Sequence, residues 1–513
     1  MADQGLGQYL QDITTYLILL IIIATSGSLQ FGYHLAELNA PQNVITCHET
    51  STPNVVSRVT ATLRGQPITR STSLPDCIPM DDAAFATITA IFTLGALLGA
   101  LYAGPFSSRR GRLSAMRITA ILYTIGSLIE TLSGNVLFMC IGRFLSGIAA
   151  GASTVIVPLY ISEVAPPKER GLFGAMTQVS INVGILITQT LGYFLSYGNR
   201  WRLILATGIC IGAIQALGSV FLTESPSWLA ANGKVTEAGR TLQRIRGKGV
   251  NIQEEVAGWG QEGGEDGANE EARLLAPEDA AVEPSTVRVV TASTVHHGFA
   301  DVLRDPDTRP AIIAVVGVMF TQQLCGINSI IMYSVSLLAD LLPISSGLLT
   351  ILISVVNLLT TVACSPLPDR LGRKTCLLIS IIGQGSSSLA LALSIVFGAK
   401  VLSAFAVLFF VGFFAVGLGP VPFILASELV GQEAVGATQS WALGANYVAT
   451  FIVAQFFPII NTALNNAFGG QGWVYFVFAA LAAGCSLFVL SRVPETKGKK
   501  DADEVWGRER RLE

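Results

Sequence analysis

The chain has 513 residues, of which 51% are hydrophobic and only 13% charged, against about 25% charged in an ordinary soluble domain. Together with a mean hydropathy of +0.56, this excludes a soluble globular domain and marks a polytopic membrane protein. The formal net charge of -3 says nothing about partners, because the charges of such a protein are sorted by loop.

With roughly 20 apolar residues per crossing helix as the ruler, spans are predicted at 13–34, 83–104, 114–133, 136–159, 172–196 and 202–222, then at 311–339, 345–366, 375–397, 401–427, 434–460 and 472–491. They divide the chain into an N-terminal six-helix half (1–222), a cytosolic linker (223–310), a C-terminal six-helix half (311–491) and a tail (492–513). The first apolar segment lacks a basic n-region and a small-residue cleavage site, so no cleavable signal peptide is expected.

The polar loop after the first span holds Cys47 and Cys77, which could form a disulfide if that loop faces a lumen or the outside. It carries no Asn-x-Ser/Thr sequon. The cysteines show no metal-ligand spacing, and neither a metal nor a cofactor is expected. Loop 2–3 reads SSRRGRLSAM and loop 8–9 reads PDRLGRKTCL, while LYISEVAPPKERG after the fourth span is echoed by ILASELVGQEAVG after the tenth. Basic loops alone would anchor helices without this matched repetition. Two halves related by an axis along the membrane normal imply a pathway between them.

In the linker, SPSWLAANGKVTEAGRTLQRIRG and HHGFADVLRDPDTRP read as short amphipathic helices on the membrane face. The stretch between them, about 251–287, is rich in Glu, Gly and Ala and is expected to be disordered. It contains EEARLL, in which Glu270, Leu274 and Leu275 fit an acidic dileucine signal of the kind a vesicle-coat adaptor reads. With both termini cytosolic, all but Arg58, Arg64, Arg70, Arg143, Arg200, Arg202 and Lys400 of the 32 lysines and arginines fall on the cytosolic side, as positive-inside bias requires.

The seventh span contains TQQLCGIN. An amide costs several kcal/mol in hydrocarbon unless satisfied, so Gln322, Gln323 and Asn328 must face protein or a water-filled cavity. Helix-to-helix hydrogen bonding is the plain use of such amides. At about 100° per residue a regular helix would turn Gln322 and Asn328 roughly 120° apart, but Gly326 lies between them and permits a break.

LQFGYHLAELNAPQ, RRGR, GRFLSGIAAG, PLYISEVAPPKERG, TESPSWL, QQLCGIN, DRLGRK, GPVPF with ASE after it, and VPETKG together resemble the sugar porter family of the major facilitator superfamily, across nearly the whole chain apart from the acidic insert. FGYHLAELNAPQ has the flavour of the fungal vacuolar-type hexose transporters within it. The resemblance implies an all-α membrane protein, twelve transmembrane helices in two six-helix halves with cytosolic linker helices, in the major facilitator fold. It implies a monosaccharide substrate, a bilayer around a monomer, a vacuolar or plasma membrane location, and no nucleic-acid partner.

In that family QQ-x-x-GIN hydrogen-bonds a hexose, which points to Gln322, Gln323 and Asn328. Position relative to the shared motifs adds Gln178, Asn357 and Asn446. Amides suit a neutral polyol because each offers donor and acceptor together; each could instead serve helix packing. Departures bear on affinity and sugar choice: Phe423 stands where Trp is usual, Thr450 replaces another amide, and Ala415 replaces an acidic residue.

His34 occupies the slot that proton-coupled members fill with Asp, to pair with an Arg matched here by Arg143. Without that carboxylate, facilitated diffusion is expected; the alternatives are a proton symporter or antiporter using His34, or a neutral His bonding a neighbouring helix. The resemblance further implies a cytosolic latch between the halves from Arg112, Glu163, Arg170, Asp369, Arg373 and Glu428. Ser108 and Leu113 depart from the pattern, so the N-half part is expected to be weaker.

A membrane enzyme would need a nucleophile, a metal cluster or paired carboxylates at membrane depth, and none is read from the sequence. A non-transporting nutrient sensor would carry a long signalling tail, whereas only a short segment follows Arg492. Transport is the expectation.

Overall fold

The computed structural model describes residues 14–47, 74–166, 169–247, 250, 252–257, 301–338, 346–431, 434–499 and 502–507. All regular elements among them are helical. The N-terminal half supplies α1 (Thr15–Ala36), α2 (Asp82–Arg110), α3 (Arg112–Leu132), α4 (Val136–Val164), α5 (Arg170–Leu195) and α6 (Trp201–Gly218). The C-terminal half supplies α7a (Arg309–Leu324), α7b (Ile327–Leu338), α8 (Ser346–Cys364), α9 (Arg373–Val396), α10a (Lys400–Val416), α10b (Val421–Glu428), α11 (Val435–Phe468) and α12 (Val474–Arg492).

Eleven segments among the described residues are long and apolar enough to cross a bilayer. The 26-residue α5, more polar because it carries Gln178, Asn182 and Gln189, completes the twelve. Side chains such as Ile22, Ile121, Leu217, Leu359, Phe409 and Leu487 point outward and exposed, as a lipid-facing surface requires.

Local chemistry sets the helix ends. Thr14, Asp81 and Asn135 each accept a backbone N–H three residues on, at 3.1, 2.9 and 3.0 Å, the standard N-cap. Gly111 and Gly372 turn the chain into α3 and α9 with φ of 91° and 102°, a conformation that costs other residues dearly. The seventh span breaks at Gly326, φ 94°, between α7a and α7b. The tenth, expected to be continuous, is also broken. Gly417 packs so closely that a Cβ there would lie 2.1 Å from the Cys376 carbonyl oxygen, and Pro420 has no N–H to continue the ladder.

α2 and α4 cross with no room for side chains. A Cβ on Gly95, Gly99, Gly147 or Gly151 would come within 2.3, 2.0, 2.2 and 1.8 Å of a carbonyl oxygen of the facing helix. Small residues let membrane helices approach in this way. Between the halves α2 packs on α11 and α5 on α8. Polar clasps accompany these contacts: Thr154 with Tyr447 at 2.8 Å, and Asn39, just after α1, donating to the Ile331 carbonyl and to Ser334 Oγ on α7b, both at 2.9 Å.

The linker forms helices at Pro226–Ala231 and Val235–Arg246. Arg246 anchors the second on the end of α4 by donating to the Val164 carbonyl at 2.7 Å. It also pairs with Glu255 at 2.8 Å. Residues Gln253–Ala257 are helical, where disorder was expected from about 251 onward. The remainder of that insert, with Glu270, Leu274 and Leu275, lies outside the described residues.

Candidate functional site: two amide networks and a buried charged cluster

The break at Gly326 ends one helix and starts another, and so removes the angular separation a continuous helix would impose on the seventh-span amides. Asn328 Nδ2 donates to Gln323 Oε1 at 2.6 Å, and Gln323 Nε2 donates to Gln322 Oε1 at 3.1 Å. Gln322 Nε2 donates in turn to the Leu418 carbonyl at 2.5 Å, a group freed by the break before α10b. From α11, Asn446 donates to Gln322 Oε1 and Thr450 Oγ1 accepts from Asn328 at 3.4 Å. Gln322, Gln323, Asn328 and Thr450 are buried, whereas Asn446 is half-buried.

A second network bridges the halves. Gln178 and Asn357 both donate to Asn182 Oδ1 at 3.4 Å, and Asn182 donates to Thr361 Oγ1 at 2.9 Å. Asn182 and Thr361 were not singled out from the sequence, although Asn182 lies one helical turn from Gln178. Phe423 is 38% exposed on α10b and takes no part in these bonds; Ala415 is buried at the end of α10a.

The charged cluster differs from the sequence expectation. His34 and Arg143 are fully buried, but two carboxylates are buried with them. Glu37, one turn beyond His34, receives Arg143 Nη1 at 2.5 Å and faces His34 Nδ1 at 2.9 Å. Glu130, on α3, accepts from Ser146 Oγ at 2.7 Å. The expectation that no carboxylate accompanies Arg143, and that no carboxylate pair lies at membrane depth, is corrected by these two residues. His34 stacks on Tyr123 with ring centroids 5.2 Å apart, and Arg143 also donates to the His34 carbonyl at 2.8 Å. One donor atom each of His34, Glu37 and Glu130 lie within 4.8 Å of one another. Arg143 already places a positive charge on Glu37, so the set does not suit a metal cation.

At the other end of the helices the repeat becomes geometric. Arg112 grips Glu163 with Nη2 at 2.8 Å and Nε at 3.0 Å; Arg373 grips Glu428 with Nη2 at 2.8 Å and Nε at 3.1 Å. Glu224 accepts the backbone N–H of Arg112 at 2.9 Å, and Glu495 that of Arg373 at 2.8 Å. Each arginine pair lies within its own half, Arg112–Glu163 in the N-terminal one and Arg373–Glu428 in the C-terminal one. Arg373 has a second partner in Asp369 at 2.9 Å. The Arg170 side chain lies outside the described residues. Glu224 and Glu495 escaped notice as site residues, though TESPSWL and VPETKG contain them. Cys47 and Cys77 are joined by a disulfide.

The family model described as "Sugar (and other) transporter" matches residues 20–505. A probable metabolite transport protein of Saccharomyces cerevisiae is 35% identical over 495 residues, covering 96% of each chain. The vacuolar protein sorting-associated protein 73 of the same yeast is 34% identical, covering 94% of this chain and 95% of its own. Solute carrier family 2, facilitated glucose transporter member 3 of Ovis aries is 30% identical, covering 95% and 91%. Among solved structures, the partially occluded inward-open form of the xylose transporter XylE from E. coli superposes with a TM-score of 0.72 at 22% identity, over 95% of this chain and 100% of that one; the likeness establishes the major facilitator fold. The matching family, the facilitated glucose transporter and the solved neighbour are transporters rather than enzymes, and the chain belongs to the sugar (and other) transporter family.

Proposed function

We propose that the protein carries a hexose or related monosaccharide across its membrane by alternating access. The observation that carries this reading is the run of neutral amides from Gln322 through Gln323 to Asn328, joined by Asn446 and Thr450 at two helix breaks. A sugar demands paired donors and acceptors without charge, and such groups are tolerated at membrane depth only where they bond protein or line a cavity. The second network, through Gln178 and Asn357, stands on facing helices of opposite halves and offers the other wall. The 30% identity with a protein named a facilitated glucose transporter supports the substrate class.

Facilitated diffusion rested on the lack of a carboxylate beside Arg143, and Glu37 removes that support. The vacuolar membrane is the proposed location, on the likeness to a vacuolar sorting-associated protein and on EEARLL as an adaptor signal. Both termini are proposed to be cytosolic, and the carrier to work as a monomer. The test is uptake of labelled glucose by proteoliposomes holding the purified protein; uptake no faster than in empty vesicles refutes the reading.

A further inference from the structure

Glu130, His34 and Arg143 are 0% exposed and Glu37 is 1% exposed. With a neutral imidazole, two carboxylates face one guanidinium, leaving one negative charge uncompensated in an apolar interior, which burial penalises heavily. The bonding repeats this imbalance. Arg143 and His34 both engage Glu37 Oε1 and Ser146 engages Glu130 Oε1, while Glu37 Oε2 and Glu130 Oε2 are buried without a hydrogen-bond partner. Two unpartnered carboxylate oxygens, on side chains whose donor atoms lie within 4.8 Å of each other, lack one hydrogen.

We propose that Glu37 and Glu130 together bind one exchangeable proton, and that this proton travels with the sugar. The proposal rests on the reading of the protein as a monosaccharide carrier. Proton binding neutralises the pair; release restores two like charges on neighbouring helices. The movement this drives is fixed by position, since Asn39, two residues past Glu37, holds α7b of the opposite half through Ile331 and Ser334. Protonation from the Asn39 side lets the seam close over a neutral cluster, and loss of the proton toward the other side reopens it. Proton and sugar therefore move in the same direction.

The other ionisable groups packed around the pair have separate tasks. Tyr33 donates to the Ile204 carbonyl and Tyr123 to that of Gly27. Arg202 of α6 holds the Thr131 and Ser133 carbonyls. Tyr333 of α7b donates to Ala454, and Cys140 lies one turn before Arg143 on α4. Arg143 is thus the cation bonded to Glu37, while Glu130 is held by the Ser146 hydroxyl.

The test uses full-length protein in proteoliposomes with labelled glucose, read by counterflow and by accumulation under an imposed pH difference. Wild type should concentrate sugar on the side away from the acid, by up to about tenfold per pH unit for one proton. Glu130→Gln, which holds the neutral shape, should retain counterflow and end at equal concentrations. Equal concentrations in wild type despite active counterflow, or accumulation undiminished in Glu130→Gln, overturns the proposal. Absence of counterflow in wild type would sink the sugar reading instead, and the proton site is then decided by infrared spectroscopy of the purified protein. A protonated-carboxyl stretch that shifts in deuterium oxide and is lost in Glu130→Gln supports the site; its absence from wild type, or a stoichiometric bound metal found by elemental analysis, overturns it.

Discussion

Arg112 and Arg373 make the same bonds in the two halves: a three-contact grip on Glu163 or Glu428, an Nη1 contact to the carbonyl five residues back, and a backbone N–H capped by Glu224 or Glu495. Each arginine closes a corner where a glycine turns the chain into a helix. Bidentate guanidinium pairs of this kind are geometrically exacting. Arg112→Lys and Arg373→Lys should therefore lower stability by similar amounts, about 1–3 kcal/mol each. Asp369 is 75% exposed, and an exposed pair contributes at most about 1 kcal/mol, so Asp369→Ala should change little. Thermal unfolding in detergent checks all three, and an Asp369→Ala loss as large as that of Arg373→Lys would contradict the ranking.

At the proposed sugar site Gln322 receives two amides and holds the carbonyl exposed by the tenth-span break. Gln322→Ala should reduce sugar uptake at least tenfold, the equivalent of about 1.4 kcal/mol, with near-normal folded yield. Wild-type kinetics in this variant would remove the residue from the site.

Glycine substitutions separate space from identity. A Cβ on Gly151 would sit 1.8 Å from the Ala96 carbonyl oxygen, whereas one on Gly104 of α2 meets nothing within 4 Å. Gly151→Ala should wedge α2 from α4 and sharply lower the monodisperse yield on fluorescence-detected gel filtration. Gly104→Ala should be neutral or stabilising by up to about 1 kcal/mol. Equal yields from the two would show that the α2–α4 crossing yields easily.

Sorting has its own readout. Leu274→Ala combined with Leu275→Ala should shift a fluorescent fusion from the vacuolar membrane to the cell surface while leaving uptake in proteoliposomes intact. An unmoved fusion eliminates EEARLL as an address.

The twelve spans were legible because hydrocarbon thickness demands long apolar runs, and the seventh-span amides stood out against that background. The matched Arg-x-Gly-Arg loops carry the repeat in the sequence itself. Glu37 and Glu130 did not stand out for the same physical reason in reverse. Each lies near the end of its apolar run, in HLAELNA and LIETLSGN, where a carboxylate reads as a residue of the adjoining loop. Only the packing of α1, α3 and α4 brings them to Arg143. The tenth-span break was hidden because Gly417 matters through what it touches, and no hydropathy window registers its contact with Cys376 or the N–H that Pro420 lacks.

The helix interruptions that the structure places at Gly326 and at 417–420 both belong to the C-terminal half. In the N-terminal half the glycine crossing of α2 on α4 brings main chain against main chain, and α1 is pressed on α5 as tightly, with a Gly32 Cβ only 2.0 Å from the Ile181 carbonyl. Compliance is thus unequally shared. One half is suited to act as an anvil that keeps its form through the cycle, and the other as a jaw whose short segments α7b and α10b can swing on their own hinges. The asymmetry assigns the two halves different duties although their arginine corners are copies: bending should collect at Gly326 and at 417–420, and the half that carries the buried charges should move as a block.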